Sequence, residues 1–191
     1  MDRKDMIDKL KGKLTDKRLI HSFGVEYTAA CMAMRYGADI QKARIAGLLH
    51  DNAKCLPTDD KLKKCEKFKL PISESERANP DLLHGKLGAY YAREKYGVKD
   101  EEILNAITYH TTGRPAMTLM DKIIFIADYI EPNRKMIFEL PEIRQEAFTD
   151  IDTAVLHILK NTLEYLDGKT DIIDEMTEET YKYYLRQRNK Q

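Results

Sequence analysis

Along nearly the whole of this chain, apolar residues recur three and four positions apart, and no stretch of five or more residues alternates convincingly between apolar and polar. That periodicity restricts the chain to helices packed on helices. Composition agrees, with three valines, no tryptophan, nine glycines and 34% charged residues leaving little material for strands. The spacing predicts helices over 2–13, 16–36, 40–50, 58–68, 80–96, 100–110, 118–131, 141–149, 151–167 and 176–188. Asp39, Thr58 and the pair Pro80-Asp81 stand where helices should start. Gly37, Gly97, Gly113 and Gly168 stand where they should stop, and Pro57, Pro71, Pro115, Pro132 and Pro141 mark connections. The polar, tyrosine-bearing tail Thr177–Gln191 reads as a docked final helix. The 191 residues suggest one unit with a core of its own.

Other features narrow the function classes. Thirty-two basic residues balance thirty-two acidic ones, which argues against a general nucleic-acid coat or a polybasic membrane binder. Apolar runs such as Ile123 to Ala127 are short, and the mixed-charge start has no signal-peptide core, so a soluble cytoplasmic protein with no membrane partner is expected. Cys31, Cys55 and Cys65 have no C-x-x-C spacing and read as reduced thiols. Five lysines between Lys61 and Lys69 read as a solvated helix face.

Several histidines and aspartates stand in apolar settings. His50 closes a stripe of Ala43, Ala46 and Gly47, whose small side chains would let another backbone approach closely. His110 follows Ile103, Ala106 and Ile107 at the same offsets. His84 begins a stripe through Leu87, Gly88 and Tyr91, and His21 lies between Ile20 and Phe23. Asp128 sits inside Ile-Ile-Phe-Ile-Ala-Asp-Tyr-Ile, where an ionised carboxylate is costly unless paired or bound to a cation. Singly, each has an ordinary explanation as a satisfied core residue. Together, four of the five histidines with Asp51 and Asp128 form the mixed imidazole and carboxylate set that binds borderline divalent metals. His157 fits no cluster and reads as structural. No phosphate loop, G-x-G-x-x-G, H-E-x-x-H or G-x-S-x-G motif is present.

The order of these residues, within Arg18-Leu-Ile-His21-Ser22, Gly47-Leu-Leu-His50-Asp51-Asn-Ala-Lys54, Leu83-His84-Gly85, Tyr109-His110-Thr111-Thr112-Gly113-Arg114 and Ile126-Ala-Asp128-Tyr-Ile-Glu131-Pro132-Asn-Arg134, resembles the HD superfamily of metal-dependent phosphohydrolases. Within it, the pattern resembles the YqeK family, which hydrolyses diadenosine tetraphosphate symmetrically to two ADP. The match runs from about Arg18 to Arg134. The resemblance implies an all-α fold: a single compact HD-domain helical bundle over 1–191, with the helices of 141–191 in the same unit and the last one docked. A His-Pro-x-Thr segment common near the family's C-terminus is replaced here by Ile173-Asp174-Glu175-Met176-Thr177, of which only Thr177 matches.

By the same resemblance, His21, His50, Asp51 and Asp128 hold a divalent metal, with iron suggested and manganese, cobalt or zinc as options. His84 and His110 would complete a second ion site or face the substrate phosphates. Asp51 would bridge or orient water, and Lys54 would act beside it as a catalytic cation. His21, His84, His110, Thr111, Asp128 and Arg134 would contact substrate, with Gly113 and Arg114 as further candidates. The expected partner is a small nucleotide rather than a nucleic acid, with a homodimer as an option. Alternatives are an HD-type phosphohydrolase or phosphodiesterase on other nucleotides, a non-catalytic nucleotide-binding regulatory module and, more remotely, a di-iron oxygenase.

Overall fold

The computed structural model describes residues 1–167 and 173–190. Gly168 and Gln191 lie outside the described residues, and with Gly168 the helix stop expected there. Every regular element among the described residues is helical: α1 (Arg3–Lys11), α2 (Asp16–Tyr36), α3 (Ile40–Leu49), α4 (Thr58–Lys67), α5 (Glu74–Ala78), a 3-10 turn (Pro80–Leu83), α6 (His84–Tyr96), α7 (Glu101–Tyr109), α8 (Leu119–Ile130), α9 (Leu140–Thr149), α10 (Ile151–Asp167) and α11 (Glu175–Arg188).

The bundle is organised around α8. Ile123, Ile124, Phe125, Ile126 and Ala127 are all buried, so this helix is apolar on nearly every side, as an interior helix must be. Helices α2, α3, α7, α9 and α10 surround it, and α11 docks on α10. A Thr118/Asp121 capping box fixes where α8 begins. A smaller cluster of Ala53, Cys65, Leu83, Leu87 and Tyr91 anchors α4 and the 3-10 turn to α6. The small stripe on α3 does what its side-chain sizes predict. A Cβ at Gly47 would lie 3.0 Å from both the Val25 carbonyl oxygen and the Glu26 Cα, so α3 rests directly on the backbone of α2.

Boundaries follow the periodicity to within a few residues, with informative exceptions. The predicted helix 80–96 is a 3-10 turn followed by α6. The five-residue α5 lies in a segment read as connection, although Ser73 and Glu76 form a complete capping box there. Lys61 overturns the solvated-face reading of 61–69 at its first position. Its side chain is buried and its ammonium pairs with Asp81, tying α4 to the 3-10 turn. Lys63, Lys64, Lys67 and Lys69 are not buried, as that reading expected.

His157 lies outside the inward-facing set. Its Nδ1 is 2.9 Å from Glu146 Oε2 and its Nε2 is 2.9 Å from Glu139 Oε2, which joins α9 and its N-cap to α10. Burial opposes charge on this imidazole, but the two carboxylates outweigh it and raise its pKa. A folded-state pKa above the unfolded value gives stability that is complete below the unfolded pKa and fades as pH rises through the folded one. The melting-temperature gap between the wild type and His157→Ala is therefore expected to be larger at about pH 6 than at about pH 9. Thermal melts across that range check this, and an equal or reversed gap contradicts it. Gly47→Ala has no room to relax against backbone and should cost about 1–3 kcal/mol in denaturant unfolding.

Candidate metal centre

Three of the four inward-facing histidines are oriented by one local device. The Nδ1 of His50 lies 2.7 Å from the Gly47 carbonyl oxygen, that of His110 lies 2.7 Å from the Ile107 carbonyl oxygen, and that of His84 contacts the Asp81 carbonyl oxygen. Each bond reaches back three residues. His50 and His110 cap the C-termini of α3 and α7, where the last carbonyls lack intrahelical partners; His84 follows the 3-10 turn. A carbonyl can only accept, so each Nδ1 carries the proton. In the neutral ring, Nε2 is then a bare lone pair. His21 reaches the same state through a side chain, with its Nδ1 3.1 Å from Glu131 Oε1.

The four Nε2 atoms converge on Asp51. His50 Nε2 is 3.4 Å and His21 Nε2 3.8 Å from Asp51 Oδ2, whereas His84 Nε2 is 3.3 Å and His110 Nε2 3.7 Å from Oδ1. Asp128 closes the first side, its Oδ1 2.9 Å from His21 Nε2 and 3.6 Å from His50 Nε2. The Nε2 atoms of His21 and His50 stand 3.3 Å apart, and those of His84 and His110 stand 3.1 Å apart. Two bare lone pairs at that distance repel, and the carboxylates add negative charge. The arrangement calls for a cation on each side of Asp51. His21, His50 and Asp51, then His50, His110 and Asp128, then Asp51, His84 and His110 each bring their ligand atoms within 4.8 Å of one another. Nitrogen and carboxylate oxygen in this proportion fit a borderline divalent metal.

The carboxylates and imidazoles of the cluster shift one another's pKa values. Burial would raise the Asp51 carboxyl, but His50, His110 and His84 hold it well below the usual carboxylate range. Burial likewise opposes ionisation of Asp128, and His21, His50 and His110 overcome it. The His84 imidazole goes the other way, lowered to about 3 by burial and by the charge of His110. His21 and His110 are raised against their own burial, chiefly by Asp128 and by Asp51 respectively.

The HD domain family matches residues 18–133, the stretch that supplies all six of these side chains. The chain belongs to the HD family. It is 42% identical to a symmetrical bis(5'-nucleosyl)-tetraphosphatase of Bacillus subtilis over 97% of this chain and 98% of that protein. It is 37% identical to a protein of the same name from Staphylococcus aureus, over 91% and 90% of the two chains. A crystal structure of a predicted HD superfamily hydrolase involved in NAD metabolism from Clostridium acetobutylicum superimposes with a TM-score of 0.95 at 39% identity, over 98% of both chains.

Around the paired His and Asp of this HD chain lie residues that spacing did not single out. Arg18 Nη1 is 2.6 Å from Asp51 Oδ2 and fixes that carboxylate from the α2 side. Glu131, buried at the end of α8, orients His21 while its second oxygen accepts from the backbone and side-chain amides of Asn133. Gly24 makes room for it, since a Cβ there would fall 2.1 Å from Glu131 Oε2. Asp81 holds His84 by its carbonyl and draws Lys61 and Lys54 to its carboxylate. Both Arg18 and Glu131 stand in the motif segments, but only the fold shows which histidine or aspartate each one serves.

The remaining expected residues divide. Thr111 joins the cluster, its Oγ1 3.1 Å from His110 Nε2 and 3.2 Å from His84 Nε2. Thr111, Asp128 and Arg134 line one cavity of about 620 Å³, which also takes in Tyr129, Phe138 and Asn161. Lys54 lies 3.9 Å from Asp81 Oδ2, beside His84 rather than in that cavity. Arg114 is committed elsewhere, paired with buried Asp121 at 2.7 Å. Gly113 packs toward Thr180 and Met117 and does not line the cavity.

Removing the Glu131 carboxylate should free the His21 ring to turn and swap tautomers. Titration of metal-free protein with Mn2+ should show Glu131→Ala binding about 10–100-fold more weakly than wild type, with an unchanged helical circular dichroism spectrum. Equal affinity in the two proteins would make Glu131 a helix cap with no hold on the site.

Proposed function

We propose that this chain hydrolyses dinucleoside tetraphosphates symmetrically, converting diadenosine tetraphosphate and water into two ADP. The observation that carries the reading is the pair of clusters sharing Asp51, each with imidazole lone pairs aimed at a common point, at the edge of a cavity with a cationic side chain. The tetraphosphatase names of relatives that align over nearly the whole chain support the same chemistry. His21, His50, Asp51 and Asp128 would hold one divalent ion and His84 and His110 a second beside Asp51, with iron as the metal we favour. Such an ion supplies Lewis-acid charge at the phosphoryl group and makes a nearby water more acidic.

The chain's own residues then have separable tasks. Arg18 keeps Asp51 aimed between the two clusters, so that its carboxylate can orient the attacking water. The Thr111 hydroxyl, within hydrogen-bond reach of two imidazoles, is placed to meet a phosphate oxygen. Arg134, whose guanidinium lies 5.7 Å from the Tyr129 ring centre, offers a bidentate grip on the polyphosphate. Lys54 adds positive charge on the His84 side as the leaving oxygen gains charge. Water attacks a β-phosphorus, the bond from that phosphorus to the central bridging oxygen breaks, and one ADP leaves from each half. Choosing the β- over an α-phosphorus requires the nucleoside to be held at a fixed distance from the cluster. Phe138, Tyr129 and Asn161 form the wall that can do so.

Thr177 lines the same cavity, as does Asn161 of α10, which supports treating 1–191 as one working unit. No helix among the described residues is long and apolar enough to cross a membrane. The partner of this reading is a small nucleotide, seated in the cavity lined by Thr111, Arg134 and Asn161.

Chromatography of the products tests the reading. ADP alone is expected; AMP and ATP in equal amounts would refute symmetric cleavage, and no turnover on any phosphoanhydride would favour a binding module. Asp51→Ala should abolish hydrolysis and lower metal content. Arg134→Lys should lose about 10–100-fold in rate with ADP still the sole product, the loss expected of one charge-assisted contact. A wild-type rate in that variant would remove Arg134 from the site.

A further inference from the structure

Asn161 stands on the wall that α10 gives to the cavity of about 620 Å³, and the two ends of its amide are not interchangeable. Its Nδ2 donates to Glu139 Oε2 at 3.3 Å, and Glu139 does not line the cavity. Glu139 is anchored independently. His157, one turn before Asn161 on the same face of α10, places its Nε2 2.9 Å from the same oxygen and holds the Glu139 carboxyl below the usual carboxylate range. An ionised carboxylate only accepts, so the amide can present nothing but its NH2 to it. The backbone of Glu139 is in the left-handed region at φ 57°, a conformation that a residue with a side chain keeps only where its surroundings impose it. The second amide hydrogen serves the Tyr129 phenol: burial raises the pKa of that phenol, and a hydrogen bond from Asn161 opposes the rise. Both hydrogens are thereby used. The carbonyl Oδ1 is left to the cavity, with no donor among the described residues.

The neighbours of that oxygen define the class of group it meets. Tyr129 is bonded to the amide, and Phe138, next to Glu139 in the chain, lines the same cavity while 82% exposed. An open aromatic face beside a fixed amide is the arrangement by which proteins take an unstacked nucleobase, the ring on the aromatic side chain and the edge on the amide. Thr111 and Arg134 supply the phosphate-facing part of the same cavity. In DNA grooves asparagine reads adenine with both ends of its amide, oxygen to the 6-amino group and nitrogen to N7. Here the nitrogen is committed to Glu139 and Tyr129, so only the oxygen reads. We infer, on the reading of this cavity as a nucleotide site, that Asn161 determines base specificity: its pinned carbonyl accepts from an exocyclic amino group on the base edge. The site then prefers adenine to hypoxanthine, whose 6-oxo oxygen would stand lone pair to lone pair against Oδ1. Glu139 and His157 are the positioning residues that hold the amide in this orientation.

Isothermal titration calorimetry of the full chain loaded with Mn2+, with ADP and with IDP as ligands, tests this alongside turnover of diadenosine tetraphosphate. The wild type should bind ADP about tenfold more tightly than IDP, the worth of about one hydrogen bond. Asn161→Leu should bring the two ligands to within about twofold of each other. Glu139→Gln is the more telling variant, because it alters no residue that meets the base. A glutamine can donate to the Asn161 oxygen, which lets the amide turn, so the preference for ADP should fall to about threefold or less. A merely structural role for Glu139 would weaken both ligands alike and leave their ratio unchanged. Circular dichroism should show both variants helical. Equal binding of ADP and IDP by the wild type, binding of neither, or a preference that survives both substitutions would overturn the proposal. If ADP is preferred as stated but diadenosine tetraphosphate is not cleaved, the hydrolase reading fails and the role of Asn161 stands. If it is cleaved and the two diphosphates bind equally, only the role of Asn161 fails.

Discussion

Four imidazole lone pairs face one another across a single carboxylate, and the functional half of this molecule follows from that arrangement. With Nδ1 of His50, His84 and His110 bonded to carbonyl oxygens, three of the four rings have no freedom to present a proton inward when neutral. The Nε2 contacts of 3.1 and 3.3 Å are then tolerable only around positive charge. The carboxylates of Asp128 and Asp51 accordingly raise the pKa of His21 and of His110 against the burial of each ring. A divalent cation supplies positive charge to several lone pairs and a carboxylate at once.

The fold delivers this cluster by economical means. A histidine at the end of a helix can bond a carbonyl three residues back that would otherwise lack a partner, and the ring is aimed in the process. The device appears at Gly47/His50, Asp81/His84 and Ile107/His110. Tight contact between α2 and α3 at Gly47 brings His21 and His50 to the same depth. Asp128 is carried on the most apolar helix of the bundle, so its cost is offset only if the cluster opposite it is complete. Site and core are therefore coupled, with α8 contributing to both.

Much of this was legible in the sequence because it is local. The stripes ending in His50 and His110, and the isolated charge of Asp128, are visible as spacing. The all-helical class follows from periodicity that hardly lapses. What was not legible is pairing between distant segments. Glu131 reaches His21 across 110 positions and Arg18 reaches Asp51 across 33, and no rule of spacing links them. Lys61 looked like one of five surface lysines, yet its register on α4 turns it inward to Asp81. The short α5 lacks an apolar period, so only its capping box announces it. The exposure of Ile20, Tyr27 and Met34 on α2 was hidden for the opposite reason, since apolar periodicity does not say which face of a helix the core covers.

The central claim is that these six side chains hold divalent metal, and anomalous diffraction from crystals of the metal-loaded protein tests it most directly. Data collected above and below the absorption edge of the bound element should give a peak about 2.0–2.3 Å from the Nε2 atoms of His21 and His50 and from carboxylate oxygens of Asp51 and Asp128. A second peak is expected between Asp51, His84 and His110. Crystals whose metal lies elsewhere, with His21 and His50 in contact with each other and no peak between them, would contradict the account.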